Sequence, residues 1–362
     1  LPEIAWEKAG ILKPGIPLVC GVREPSAQSV IRARAAELEC PLKMVDEHFG
    51  YRFRWQELRD EAATAGGSGR AEGRLDYWQR WPEGAANPVA ANPVAANPVA
   101  ANPDAAHPVA ATPDAANPDA ATPDAANPDA KPRGSKMAGA GSGAKERKAS
   151  PGDAGEMVPW RDLRLGLLGE HQALNAAISL AIVDPLHALG WPLGEPARRW
   201  GLSEVKCPAR VEIVGRSPTT IVDAAHNVAS CEALVGTLRS AFPGRTGTLV
   251  FATSEDKDAR GMLRVLLPHF RHAILTRYGN NPRCRRPEEL MRHASGVLQE
   301  QPQPGTSLAV TGDAMEAWHP ARRLTAPEQL LCITGSLFLA AELRGVALDA
   351  GRRWTREDPV GA

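Results

Sequence analysis

Four short stretches of this chain carry side chains suited to handling phosphate and carboxylate groups. Arg210 and Asp223 lie in the longest of them, CPARVEIVGRSPTTIVDAAHNVASCEAL, from 207 to 234. A guanidinium offers a planar fork that matches phosphate oxygens. A carboxylate at the carboxyl end of a parallel strand can accept hydrogen bonds from ribose hydroxyls. His226 follows closely, and Asn227 is placed to cap a helix. His171, Gln172 and Asn175 open the stretch HQALNAAISLA. Amides near a helix start suit a nucleotide, and they equally suit capping of the first turn. Glu7 and Lys8 precede an Ala-Gly-Ile-Leu segment and, taken alone, form a solvated ion pair. Asp256, Lys257 and Asp258 form a charge run that, taken alone, is a solvated loop. Neither G-x-x-x-x-G-K-[ST] nor G-x-G-x-x-G after a strand occurs in the chain. GAGSGAK, at 139–145, lacks a preceding strand and so lacks the context of a phosphate loop.

Groups this far apart in sequence need a frame to bring them together. The apolar run at 16–22, the helical pattern at 26–40 and LKMV after it predict a parallel strand, helix, strand unit. YRFRWQ at 51–56 alternates aromatic with polar residues and predicts a half-exposed strand. A short strand, a glycine turn and an apolar helix over 171–189 follow, with Ala173, Ala176, Ala177 and Ala181 permitting close approach of a neighbour. Beyond Pro208, strands are expected at 219–224, 247–253, 272–278, 307–312 and 330–336, with helical patterns between them. Val228, Cys231, Leu234, Val235 and Leu238 share one helix face, and Met262, Val265 and Leu266 share another. Repeated strand and helix of these lengths imply a doubly wound parallel sheet, with chemistry at the carboxyl ends of its strands.

The chain has 362 residues, enough for two domains. Residues 84–133 repeat the unit ANPVA, drifting to ANPDA and ATPDA. A proline at every fifth position excludes a continuous helix or a central strand and predicts an extended, solvated insert. The stretch behind it is too poor in large apolar residues to offset its ordering entropy. Lys+Arg and Asp+Glu both total 42, which speaks against a basic field for nucleic acid or an anionic membrane. Six scattered cysteines lack zinc spacing and fit reduced thiols in the cytoplasm. No apolar run approaches the roughly 20 residues of a membrane helix.

IAWEKAGILKPGIPLV at 4–19 resembles the signature of folylpolyglutamate and dihydrofolate synthases, and the other stretches extend the resemblance. LLGEHQALNAAISLA is similar to that family's GxHQxxNAAxAL, and the stretch from Cys207 to its WPGRLE and DgAHN pattern, with Cys207 in place of the usual tryptophan and Ala209 in place of glycine. FATSEDKDARGML, ILTRYGNNPRCRRPEEL and LLCITGSLFLAAEL match further segments. The resemblance covers 1–41 and 163–344.

It implies an α/β protein: the remainder of a P-loop-type Mur ligase central domain (1–83 and 159–206), interrupted by a disordered insert (84–158), then a Rossmann-like C-terminal domain (207–350) and a flexible tail (351–362). It implies ATP and Mg2+ as cofactors, with Asn175, Arg210 and Asp223 holding ATP. Lys8 would be carbamylated and bind the metal through the carbamate, because a carbamate supplies the anionic oxygen that a hard cation prefers. His226 would join Lys8 as a catalytic group. The implied reaction adds L-glutamate to folate, or to dihydropteroate, in a cytoplasmic monomer. The chain begins LPEIAWEKAG, without Met and inside a motif, so a missing N-terminal segment with the phosphate loop is expected, and no ligation by this polypeptide alone. Two other readings stay open at this point, another Mur-type amino-acid ligase and a non-catalytic remnant. A dehydrogenase is disfavoured, because VDAAHNVAS provides no glycine cradle for NAD.

Overall fold

The computed structural model describes residues 1–58, 70–79, 160–279 and 281–357. The alanine-proline repeat and the expected insert at 84–158 lie outside the described residues, as does the tail beyond 357.

The N-terminal part opens with helix α1 (Pro2–Ala9), strand β1 (Leu18–Cys20), helix α2 (Pro25–Glu37) and strand β2 (Leu42–Met44). Glu24 caps α2 by accepting the Ala27 amide at 2.7 Å. β1 and β2 pair in parallel, Leu18 against Leu42, so the expected strand, helix, strand unit is present. Three antiparallel strands follow: β3 (Phe49–Leu58), β4 (Arg70–Gln79) and β5 (Trp160–Leu165). In β3 the aromatic residues Tyr51, Phe53 and Trp55 are half-buried, while Arg52, Arg54 and Gln56 are exposed, as the alternation predicts. β4 carried no sequence expectation. Its signal was the same alternation, with Leu75 and Tyr77 buried and Arg74 and Asp76 turned outward, where Arg54 bridges Asp76 at 2.8 Å and Asp162 at 2.7 Å. Tyr77 pairs with Trp160, so the chain leaves β4 and re-enters on the strand beside it.

Helix α3 (Glu170–Ala188) packs its alanines Ala173, Ala177 and Ala181 against this sheet, and Pro185 falls within its last turn. Helix α4 (Glu195–Glu204) covers β5. The chain then builds strands β6 (Glu212–Arg216) and β7 (Thr219–Val222), helix α5 (Val228–Ala241), strand β8 (Gly247–Phe251) and helix α6 (Ala259–Leu266). Strand β9 (His272–Leu275), helix α7 (Pro287–Glu300), strand β10 (Ser307–Val310), helix α8 (Ala314–Leu324), strand β11 (Leu330–Thr334) and helix α9 (Leu337–Glu357) complete it.

Six strands form one sheet in the order β10-β9-β8-β11-β7-β6, parallel except for β6 at the edge. Alternate residues of each strand serve opposite faces. Ile221, Leu249 and Cys332 pack under α5, α6 and α7, while Val222, Val250 and Ile333 pack under α8 and α9. This is the doubly wound arrangement, with strands buried on both sides. Each strand predicted for this sheet runs past the observed one at its carboxyl end. Those surplus residues, such as Asp223 and Ala224 or Gly335 and Ser336, leave the sheet as loops along one edge.

One glycine on that edge is required by its surroundings. Gly335 has φ +109, and a Cβ there would stand 2.4 Å from the Ala252 carbonyl oxygen. Gly335→Ala is expected to cost about 3 kcal/mol, from backbone strain and overlap together. Urea unfolding should show this as a lower midpoint at unchanged m-value. An unchanged midpoint would mean that β8 and β11 tolerate the intrusion.

Candidate functional site

Asp223 is the anchor of the site. It follows β7, where its amide donates to Ile333 O at 3.0 Å. Only 6% of it is exposed. Its two carboxylate oxygens accept the Val211 and Ala225 amides, both at 2.8 Å. Burial pushes the Asp223 carboxyl up from its ordinary pKa, against the opposing pull of those amides, Arg210 and His171.

The loop that the carboxylate holds is strained. Ala209 and Val211 both adopt positive φ, +55° and +45°. For a β-branched valine this is a true outlier. Such residues cost about 1–3 kcal/mol each and persist only where their surroundings fix them. The strained pair presents Arg210 between them, exposed, and among the described residues its guanidinium forms no ion pair or hydrogen bond. An alanine at 209 occupies a conformation for which glycine is better suited.

The opposite wall comes from the start of α3. Gly169 begins it at φ +113, where a Cβ would lie 2.5 Å from the His171 ring and 2.6 Å from Thr237 Oγ1. The side chains of His171, Gln172 and Asn175 bond one another, and no side chain caps the helix start. The capping alternative for these three is therefore not what the fold uses. Asn175 Nδ2 donates to Gln172 Oε1 at 3.0 Å, and Gln172 Nε2 lies 3.1 Å from His171 Nε2. The amide nitrogen can only donate, so the neutral imidazole carries its proton on Nδ1. Burial pushes the His171 pKa down, which favours that neutral form.

These walls enclose a cleft of about 540 Å³, lined among others by His171, Gln172, Asn175, Arg210 and Asp223. The three residues expected to hold ATP thus converge from two separate motifs. A more apolar cleft of about 330 Å³ shares Gln172 and Asn175 with it and runs between α3 and α4.

Other expected residues stand elsewhere. His226 is exposed, its Nδ1 3.0 Å from Ala224 O, and it is not among the residues lining the cleft. Asn227 caps α5 by accepting the Ser230 amide at 2.8 Å, and Ser230 Oγ accepts the Asn227 amide in return. Lys8 lies on α1 with 73% of its side chain exposed, 3.5 Å from the Glu7 carboxylate. Asp258 caps α6 through the Gly261 amide at 2.8 Å, while Asp256 and Lys257 pair with each other at 2.7 Å. Among the described residues no three His, Cys, Asp or Glu side chains gather to hold a metal ion. No helix of the described residues is long and apolar enough to cross a membrane.

Sequence reasoning passed over Glu212 and Arg344. Glu212 accepts the Ala209 amide at 2.9 Å and also binds Arg344, from far along the chain. Nothing in the spacing of two ordinary charged residues announces such a partnership.

Comparison with known proteins gives this geometry a context. Residues 209–337 match the Mur ligase glutamate ligase domain family. A dihydrofolate synthase/folylpolyglutamate synthase of Mycobacterium tuberculosis is 38% identical over 123 residues, 33% of this chain and 25% of that protein. The Bacillus subtilis protein of the same name is 27% identical over 186 residues, 51% of this chain and 41% of its own length. The chain therefore spans less than half of these relatives. The solved M. tuberculosis folylpolyglutamate synthase, complexed with ADP and AMPPCP, shares the fold with a TM-score of 0.62 at 22% identity, over 96% of this chain and 59% of that one.

Proposed function

The chain belongs to the folylpolyglutamate synthase/dihydrofolate synthase family of Mur ligases, and from that premise we propose that it carries the nucleotide-holding part of an ATP-dependent ligase that joins L-glutamate to folate. In that reaction a folate carboxylate takes the terminal phosphoryl group of ATP. The glutamate amine then attacks the acyl phosphate, an amide bond forms, and inorganic phosphate leaves.

The observation that carries this reading is the convergence of Asn175, Arg210 and Asp223 on one cleft. Arg210 offers an uncommitted guanidinium for phosphate oxygens. Asp223 keeps lone pairs free beyond the two it gives to backbone amides, enough for a ribose hydroxyl. Asn175 presents an amide whose Nδ2 is held by Gln172 and whose oxygen is open. The cleft has the size and donor set for a nucleotide. A divalent ion does not find a comparable set of ligands among the described residues. Lys8 as a carbamate ligand rests on the motif alone.

Titration with ADP tests the reading. Saturable binding to the 362-residue chain is expected, weakened about 10- to 100-fold by Arg210→Ala, the range for loss of charge-assisted hydrogen bonds. NAD should give no measurable binding. Absence of ADP binding, or an Arg210→Ala variant that binds like wild type, would rule out this assignment of the cleft.

A further inference from the structure

The strained backbone on either side of Arg210 has to be held from outside. Asp223 takes the Val211 amide, and Glu212 takes the Ala209 amide at 2.9 Å. Glu212 is itself gripped through both oxygens by Arg344 on α9, Nε to Oε2 at 2.7 Å and Nη2 to Oε1 at 2.8 Å. A forked pair of this kind fixes orientation as well as position. Arg344 holds the Glu212 carboxyl below its ordinary pKa, with the Ala209 amide adding to the effect and burial opposing it. The pair is therefore fully ionised at neutral pH.

The Ala209 carbonyl oxygen in turn accepts the Ala224 amide at 2.9 Å. The loop is thus clamped at three points, two of them carboxylates, and only one of those carboxylates lines the cleft. The other stands behind the loop and depends on α9, which starts at Leu337 directly after the Gly335 turn.

We infer that Glu212 and Arg344 are positioning residues for the nucleotide site, holding the 209–211 backbone in the left-handed form that presents Arg210 to the cleft. The inference rests on the proposed role of Arg210. Neither residue is among those that line the cleft. Loss of the pair lets Ala209 relax to negative φ and carries Arg210 away from the phosphates.

The test compares wild type, Arg344→Met, Arg344→Lys and Glu212→Gln by ADP titration and by amide hydrogen exchange. Arg344→Met is expected to weaken ADP affinity about tenfold, and Arg344→Lys, which keeps the charge without the fork, to recover part of the loss. In Arg344→Met the Ala209 and Val211 amides should lose protection while the amides of β8 and β11 keep theirs. A purely structural pair would lower protection throughout the sheet and show no rescue by lysine. Should Arg344→Met fail to fold, Glu212→Gln carries the comparison, since it keeps volume and one acceptor oxygen. ADP affinity within about twofold of wild type in the folded variants, with the Ala209 amide still protected, overturns the proposal. A wild-type chain that does not bind ADP overturns the nucleotide reading instead. The exchange pattern then still decides whether Arg344 holds the loop.

Discussion

Asp223→Ala should bind ADP about 100-fold more weakly than wild type and should unfold at a clearly lower urea concentration. Both effects start from the same two hydrogen bonds. The carboxylate satisfies the Val211 and Ala225 amides at 2.8 Å inside a buried site, and alanine leaves both donors unpaired. Each unsatisfied buried donor costs about 1–3 kcal/mol, so a loss of about 2–6 kcal/mol is expected. The affinity falls further because the Val211 anchor is one of those that hold Arg210 in place. The pH dependence separates the terms. Burial raises the Asp223 pKa in the folded state, so folding favours its protonated form. That contribution is fully present below the unfolded pKa and is lost as pH rises through the folded one. The stability gap between wild type and Asp223→Ala should therefore be wider in acid than at neutral pH. Asp223→Asn should fall between the two at neutral pH, since it keeps one acceptor and turns an amide donor toward another donor. Equal urea midpoints for wild type and Asp223→Ala would show that these hydrogen bonds do not hold the loop.

Asp184→Ala, away from the cleft, should be strongly destabilising, by about 3–5 kcal/mol. Asp184, on α3, bonds the Arg198 guanidinium from α4 and accepts the Tyr77 hydroxyl of β4 at 3.3 Å. Arg198 is only 8% exposed, donates through Nε to Leu193 O at 2.6 Å and lies over the Trp160 ring at 5.0 Å. Removing the carboxylate leaves a guanidinium buried without its counter-charge, which is far worse than never having buried the pair. The Tyr77 pKa is raised by burial and by Asp184, so its hydroxyl stays protonated and keeps donating. The double variant Asp184→Leu with Arg198→Leu should recover much of the loss, because an apolar pair of similar volume avoids the desolvation cost. Urea unfolding of Asp184→Leu, Arg198→Leu and the double variant supplies the measurement. Additive losses in the double variant would mean that the two residues act independently and that the ion pair is incidental.

What the sequence made legible follows burial. Ile221, Leu249 and Ile333 sit in runs that are apolar on both faces, and strands of that kind stand out from their flanks, so β7, β8 and β11 were foreseeable. β4 was not, because its period-two signal is carried only by Leu75 and Tyr77 among charged neighbours, beside a conspicuous repeat. Arg210, Asp223 and Asn175 were visible because they fall in motifs that resemble a known family's, and the fold brings all three to one cleft. Glu212 and Arg344 were invisible, since two charged residues 132 positions apart gain meaning only when a fold joins them. His226, which sequence placed with the catalytic groups, stands exposed outside the cleft lining. Its neighbour Asn227 is explained by its cap alone. The alanine at 209, conspicuous only as a departure from a family pattern, acquires a physical reading from its positive φ.

The pairing of Tyr77 with Trp160 has a use for anyone wishing to rewire this chain. Two strands that neighbour each other keep their ends close whatever joins them, and the entropy of closing a joining segment grows only slowly with its length. The stretch between β4 and β5 is thus a natural socket. It could accept a reporter domain, take new termini in a circular permutant, or be opened to give two fragments that reassemble through the sheet.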